Sequence, residues 1–246
     1  MKKLLLALVS TLAMTSVAQA METRFSAMVA DVGTGFILTA DRIDSPRDPA
    51  LLGRLATLSM AIQDMADGAV RGDEEIRIGR SETATMSEAL EMTALGTDGY
   101  RSYLTGVVNR IGQNARVFGL RLDAVEEMAD LQATAMRVVR SSDGGPDFDG
   151  YSTPRDMVRM TTSLMRAFPD SVDTIFSPAT GNIGSTHIWI YEDGMCLLSA
   201  DGPDSGRPLV ALLTGAPDAD TCLTTAAKMI SRDDGRIMDA RHARRD

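Results

Sequence analysis

A change of hydrophobic period along the chain sets the tightest limit on its fold. Near the start, Ser26-Ala27-Met28-Val29-Ala30-Asp31 and Phe36-Ile37-Leu38-Thr39-Ala40 are short extended runs joined by Val32-Gly33-Thr34-Gly35, the pattern of a hairpin. Past residue 180 the extended pattern returns. Thr186-His187-Ile188-Trp189-Ile190-Tyr191, the turn Glu192-Asp193-Gly194 and Met195-Cys196-Leu197-Leu198-Ser199-Ala200 read as a second hairpin, and Pro208-Leu209-Val210-Ala211-Leu212-Leu213 as a further strand. Between them the period is helical. Leu51, Leu55, Leu58, Ile62 and Met65 fall on one helical face that Gly68 ends, and residues 86 to 139 read as mostly helical. Two strands at the start and three near the end predict one five-stranded antiparallel sheet, α/β in class, whose halves are split by a helical insertion.

Other boundaries follow from local chemistry. Thr153-Pro154-Arg155-Asp156 supplies an N-cap hydroxyl, proline at the first helical position and an acid at the third; Met157, Met160 and Leu164 form the stripe, and Pro169 is the stop. Met165 joins Met157 and Met160 as core or core edge. Ser141 to Gly150, rich in glycine, reads as a loop, and a helix from about Ala219 to Ser231 with a basic tail closes the chain.

The N-terminus has the form of an export signal. Lys2 and Lys3 precede the apolar run Leu4 to Val9, and Ser16-Val17-Ala18-Gln19-Ala20 ends in small residues, so cleavage after Ala20 is expected. No apolar stretch reaches the roughly 20 residues of a spanning helix. The expected organisation is a signal peptide at 1–20, one domain at 21–232 and a basic tail at 233–246, in a protein that is periplasmic or secreted. Removing the two signal lysines leaves 23 basic against 34 acidic residues, a net of −11. Such a surface argues against nucleic acid and anionic lipid as partners. With six Phe, four Tyr and one Trp, the core must rely on Leu, Met, Val and Ile. In an oxidising compartment Cys196 and Cys222 permit one disulfide, and two buried free thiols are the alternative.

Particular stretches sharpen the topology into a resemblance. Ala27-Met28-Val29-Ala30-Asp31 to Thr34-Gly35, Asp48-Pro49-Ala50-Leu51-Leu52-Gly53-Arg54-Leu55, Ala66-Asp67-Gly68, Tyr151 through Pro169, Gly194-Met195-Cys196-Leu197, and Leu209 through Pro217 resemble, in order, segments of the D-alanyl-D-alanine carboxypeptidases, the low-molecular-mass penicillin-binding proteins. The resemblance implies the serine beta-lactamase-like fold with a shortened helical insertion. It also implies a catalytic serine at the start of the first long helix and a lysine one turn later to take its proton. Here those positions hold Leu51 and Arg54. Leucine has no nucleophilic atom, and arginine does not give up its proton in a protein. The family's second motif is missing between Glu91 and Ala94-Leu95-Gly96-Thr97, and its Lys-Thr-Gly strand motif falls at Thr186-His187-Ile188, or in another register at Ala179-Thr180-Gly181, without the lysine.

One count supports this in any register. Beyond the signal the chain has a single lysine, Lys228, so two active-site lysines cannot exist. Thr225-Ala226-Ala227-Lys228 matches a hydroxyl-x-x-lysine pattern but lies in the closing helix, where a packing or solvated role is the plainer reading. His187 is read as a structural residue of its strand, Asp143, Asp147 and Asp149 as a solvated loop lacking the calcium pattern, and the tail Arg241, His242, Arg244 and Arg245 as a solvated end. No cofactor and no metal are expected. The sequence therefore predicts a non-catalytic homologue in the cell envelope, partnered by a peptidoglycan stem peptide or an envelope protein. The alternative is a carboxypeptidase with a non-standard active site or a hydrolase built around His187.

Overall fold

The computed structural model describes residues 25–96, 99–111, 137–140, 146–149, 151–170, 172, 186–192 and 194–242. Its centre is a five-stranded antiparallel sheet in the order β2-β1-β9-β8-β7. The strands are β1 (Ser26–Asp31), β2 (Ile37–Asp41), β7 (Thr186–Glu192), β8 (Met195–Asp201) and β9 (Pro208–Thr214). The first hairpin and the last three strands thus meet in one sheet, with β1 paired to β9 from Ser26 opposite Thr214 to Asp31 opposite Leu209. Side chains on both faces of the central strands are covered: all six residues of β1 are buried. Their sequences are accordingly almost continuous apolar runs rather than alternations.

Helices form the two outer layers. On one side lie α1 (Pro49–Ala66), α2 (Met86–Leu95), α3 (Tyr100–Ile111) and α4 (Pro154–Ala167); on the other lies α5 (Ala219–His242), packed on β8, β9 and β1. Thr153 and Asp156 form the reciprocal capping box expected of α4, while Asp48 caps α1 by accepting from the Ala50 amide. Asp218 starts α5, accepting the Thr221 amide at 2.7 Å and its hydroxyl at 2.9 Å. These hydrogen bonds, the amide's first, hold the Asp218 carboxyl below its ordinary range. Cys196 of β8 and Cys222 of α5 are disulfide-bonded, with Cα atoms 5.9 Å apart, so the sheet and α5 are covalently tied.

Four expectations are corrected. Helix α1 buries far more than one stripe: Leu52, Ala56, Thr57, Met60 and Ala61 are as buried as Leu55 and Leu58. It is enclosed by α2, α3, α4, β7 and the short strand β6 (Pro146–Asp149), and a helix covered all round need not be amphipathic. Its hydroxyls are satisfied within the helix, Thr57 donating to the Gly53 carbonyl and Ser59 to the Leu55 carbonyl. The 86–139 stretch ends in a strand, β5 (Arg137–Arg140), which pairs with β6 inside the supposed loop. A hairpin of β3 (Glu75–Arg77) and β4 (Thr83–Thr85) precedes α2, with three residues per strand and no alternation long enough to register. Helix α5 continues past Ser231 to His242, because Asp233, Asp234 and Ile237 are held against the body of the protein. The signal segment, residues 112–136, Asp143, the Ala179-Thr180-Gly181 register, Arg244 and Arg245 lie outside the described residues.

Candidate functional site

Helix α1 carries the positions that the resemblance marks. Leu51 sits in its first turn, 9% exposed, and belongs to the core cluster that runs from the sheet into the helices. Arg54 follows one turn later and is 1% exposed. Its guanidinium is bound on three sides. Nε donates to the Thr93 carbonyl at 3.2 Å, Nη2 donates to the Ala94 carbonyl at 2.9 Å, and Cζ lies 4.8 Å from the centroid of the Tyr100 ring. Thr93 and Ala94 are in the last turn of α2, whose carbonyls have no intrahelical partner and carry the negative end of the helix dipole. Arg54 is therefore a cation placed on a helix C-terminus and stacked on an aromatic face.

The glycine that ends α2 completes this arrangement. Gly96 is left-handed, at φ 65°, and a Cβ there would lie 2.8 Å from Arg54 Nη2 and 2.8 Å from the Tyr191 carbonyl oxygen of β7. Conformation and space both demand glycine. Helix α1, the end of α2 and strand β7 thus converge on Arg54, leaving it no free route to an incoming substrate. Thr186, at the third marked position, opens β7 opposite Ala200, and β7 packs against α1.

His187 lies opposite Ser199 of β8, an adjacency that could suggest a hydroxyl nucleophile with its base. Ser199 is fully buried, however, and its Oγ accepts the Trp189 indole N–H at 2.9 Å. The pair is part of the packed sheet. Lys228 is exposed on α5, and no cluster of His, Cys, Asp or Glu among the described residues could hold a metal ion.

Three polar arrangements carried no signal in the sequence. Arg47 ties together the ends of β1 and β9, donating from Nη2 to Ser26 Oγ at 2.5 Å and to Thr214 Oγ1 at 3.0 Å. Asp234 of α5, fully buried, accepts the amides of Asp204 and Ser205 and the Ser205 hydroxyl, fixing the β8–β9 turn. Arg155 makes a bidentate pair with Asp44 at 2.6 and 2.8 Å, and the hydrogen bond from its guanidinium holds the Asp44 carboxyl below its ordinary range.

No family model and no curated relative matches the chain. Solved structures do. Penicillin-binding protein D2 from Listeria monocytogenes, in its ampicillin-bound form, superposes with a TM-score of 0.61 at 13% identity over 85% of this chain and 96% of that one. The D-alanyl-D-alanine carboxypeptidase DacD from Francisella tularensis gives 0.60 at 14%, over 83% and 68%, and a mutant of the Streptomyces K15 DD-transpeptidase gives 0.63 at 14%, over 87% and 98%. The fold is the beta-lactamase and transpeptidase fold. At such identities the likeness establishes architecture, and function has to be argued from the site.

Proposed function

We propose that this chain is a non-catalytic homologue of the D-alanyl-D-alanine carboxypeptidases, exported to the cell envelope, which binds a stem peptide or an envelope protein without cleaving it. One observation carries the reading: the guanidinium at the expected base position is buried and bonded to the Thr93 and Ala94 carbonyls. A general base must hold a free lone pair within hydrogen-bond reach of the nucleophile's proton. Arg54 has no lone pair to offer, and its Nε and Nη2 donate to the end of α2. The neighbouring Leu51 side chain contributes packing, and the chain beyond residue 20 has no second lysine to replace what these positions lack.

The envelope location rests on the export-type N-terminus, on the disulfide, which persists in oxidising compartments, and on the fold shared with penicillin-binding proteins. No helix among the described residues is long and apolar enough to cross a membrane. The reading is tested by incubating the protein from residue 21 onward with a peptide ending in D-Ala-D-Ala, measuring released D-alanine alongside calorimetric binding. No release is expected. Sustained turnover would favour the alternative of a carboxypeptidase with an unfamiliar residue set.

A further inference from the structure

A cavity of about 440 Å³ opens on the α5 side of the sheet, and none of its lining residues belongs to α1 or β7. Phe36, Leu38, Ile237 and Ala240 give it apolar walls, and Phe36 is 70% exposed, a large ring left in water at the mouth of a hollow. Arg207 and Arg236 supply its cationic groups. The two carboxylates beside them, Asp31 and Asp233, are buried and already engaged. Asp31 accepts the Thr34 amide at 2.8 Å and meets Arg207 Nη1 at 2.8 Å. Asp233 accepts the Thr39 hydroxyl at 2.6 Å and meets Arg232 Nε at 3.1 Å and Arg236 Nη1 at 3.4 Å.

The donor count leaves something over. A guanidinium has five N–H donors, and these ion pairs occupy one nitrogen each of Arg207 and Arg236. Two guanidinium groups and two carboxylates balance in the lining, and the carboxylates are buried while the guanidinium groups of Arg207 and Arg236 keep N–H donors beyond their ion pairs. The volume lies within the roughly 300–1,000 Å³ typical of small-molecule sites, and a mostly apolar wall with a few convergent polar groups is their usual composition. We infer that this cavity binds a small amphiphilic anion, its apolar body against Phe36, Leu38, Ile237 and Ala240 and its anionic head on Arg207 and Arg236. The site is separate from Leu51 and Arg54 of α1.

The test is a calorimetric titration of the protein with decanoate below its micellar concentration, with decyltrimethylammonium as the cation of equal tail length. One saturable decanoate site is expected, and binding of the cation should be weaker by about ten-fold or more, the scale of a charge-assisted hydrogen bond. Arg236→Gln should weaken decanoate about ten-fold with a melting temperature little changed, since its contact to Asp233 is a long 3.4 Å and Asp233 keeps Thr39 and Arg232 as partners. Ile237→Trp should fill the cavity and remove binding; should that variant not fold, Arg236→Gln decides alone. Equal binding of the two surfactants, an Arg236→Gln variant of unchanged affinity, or no saturable decanoate site would overturn the inference. So would binding to anionic phospholipid vesicles without binding of monomeric decanoate.

Discussion

The two sides of the sheet treat arginine in opposite ways. On the α1 side, Arg54 is enclosed, with its donors on the end of α2 and its face on Tyr100. On the α5 side, Arg207 and Arg236 are 28% and 68% exposed, neutralise buried carboxylates and border a cavity. The residue type is the same, and the difference lies in what must be satisfied nearby. Two carbonyls at a helix end and an aromatic face enclose the Arg54 guanidinium, whereas each buried carboxylate takes up one nitrogen of Arg207 or Arg236. A charge at a position where a related fold does chemistry can therefore be architecture, and a charge far from that position can be the one open to a ligand.

That contrast is most directly broken at Arg54. Arg54→Ala should cost about 4 kcal/mol, because it strands two buried carbonyls and empties the space over Tyr100. Urea unfolding checks this, and a loss under 1 kcal/mol would mean that α2 does not depend on the guanidinium. The α5 side should respond next. Cys196→Ala with Cys222→Ala releases a 26-residue loop, and a cost of about 3 kcal/mol is expected from the chain-entropy account. Thermal unfolding of this variant, compared with the parent under oxidising and reducing conditions, should give a parent that falls to the variant only when reduced.

The smallest effect belongs to Arg155. Its guanidinium lowers the folded-state pKa of Asp44 below the ordinary 3.8. Between the folded and unfolded values the unfolded chain holds more protons. The pair's contribution is thus fully present above about pH 4 and is lost as the pH falls through the folded value. With the Asp44 side chain 68% exposed, the contribution should stay under about 1 kcal/mol. Stability of Arg155→Ala should therefore trail the parent slightly at pH 7, and the gap should narrow as the pH falls below about 4. A gap that does not narrow as the pH is lowered below about 4 would mean that packing, not charge, accounts for the loss.

Much of the frame was legible because its signals are local. The capping box at Thr153 and Asp156, the turn glycines and the return to extended runs after residue 180 each act over a few residues. The β5–β6 hairpin was not, since β6 opens with Pro146 and carries two aspartates, a composition that reads as loop until a partner strand is in place. The enclosure of α1 was hidden for another reason. Burial of its second face depends on α2, α3 and β6, and no single helix sequence states what will cover it. Arg54 shows the same limit at the candidate site: its partners lie 39 and 40 residues downstream, so the substitution was visible while its structural purpose was not.

The central claim is that the end of α1 supports packing rather than acyl transfer, and intact-protein mass spectrometry after incubation with a penicillin addresses it. The parent protein should keep its unmodified mass. A Leu51→Ser, Arg54→Lys variant should also remain unacylated, because a lysine cannot reproduce the forked contacts to Thr93 and Ala94, and positioned groups that normally assist acylation, each worth roughly 10²-fold or more, are not restored with it. Stoichiometric addition of one penicillin to the parent would contradict the account, since it would require a nucleophile and a base that Leu51 and Arg54 cannot supply.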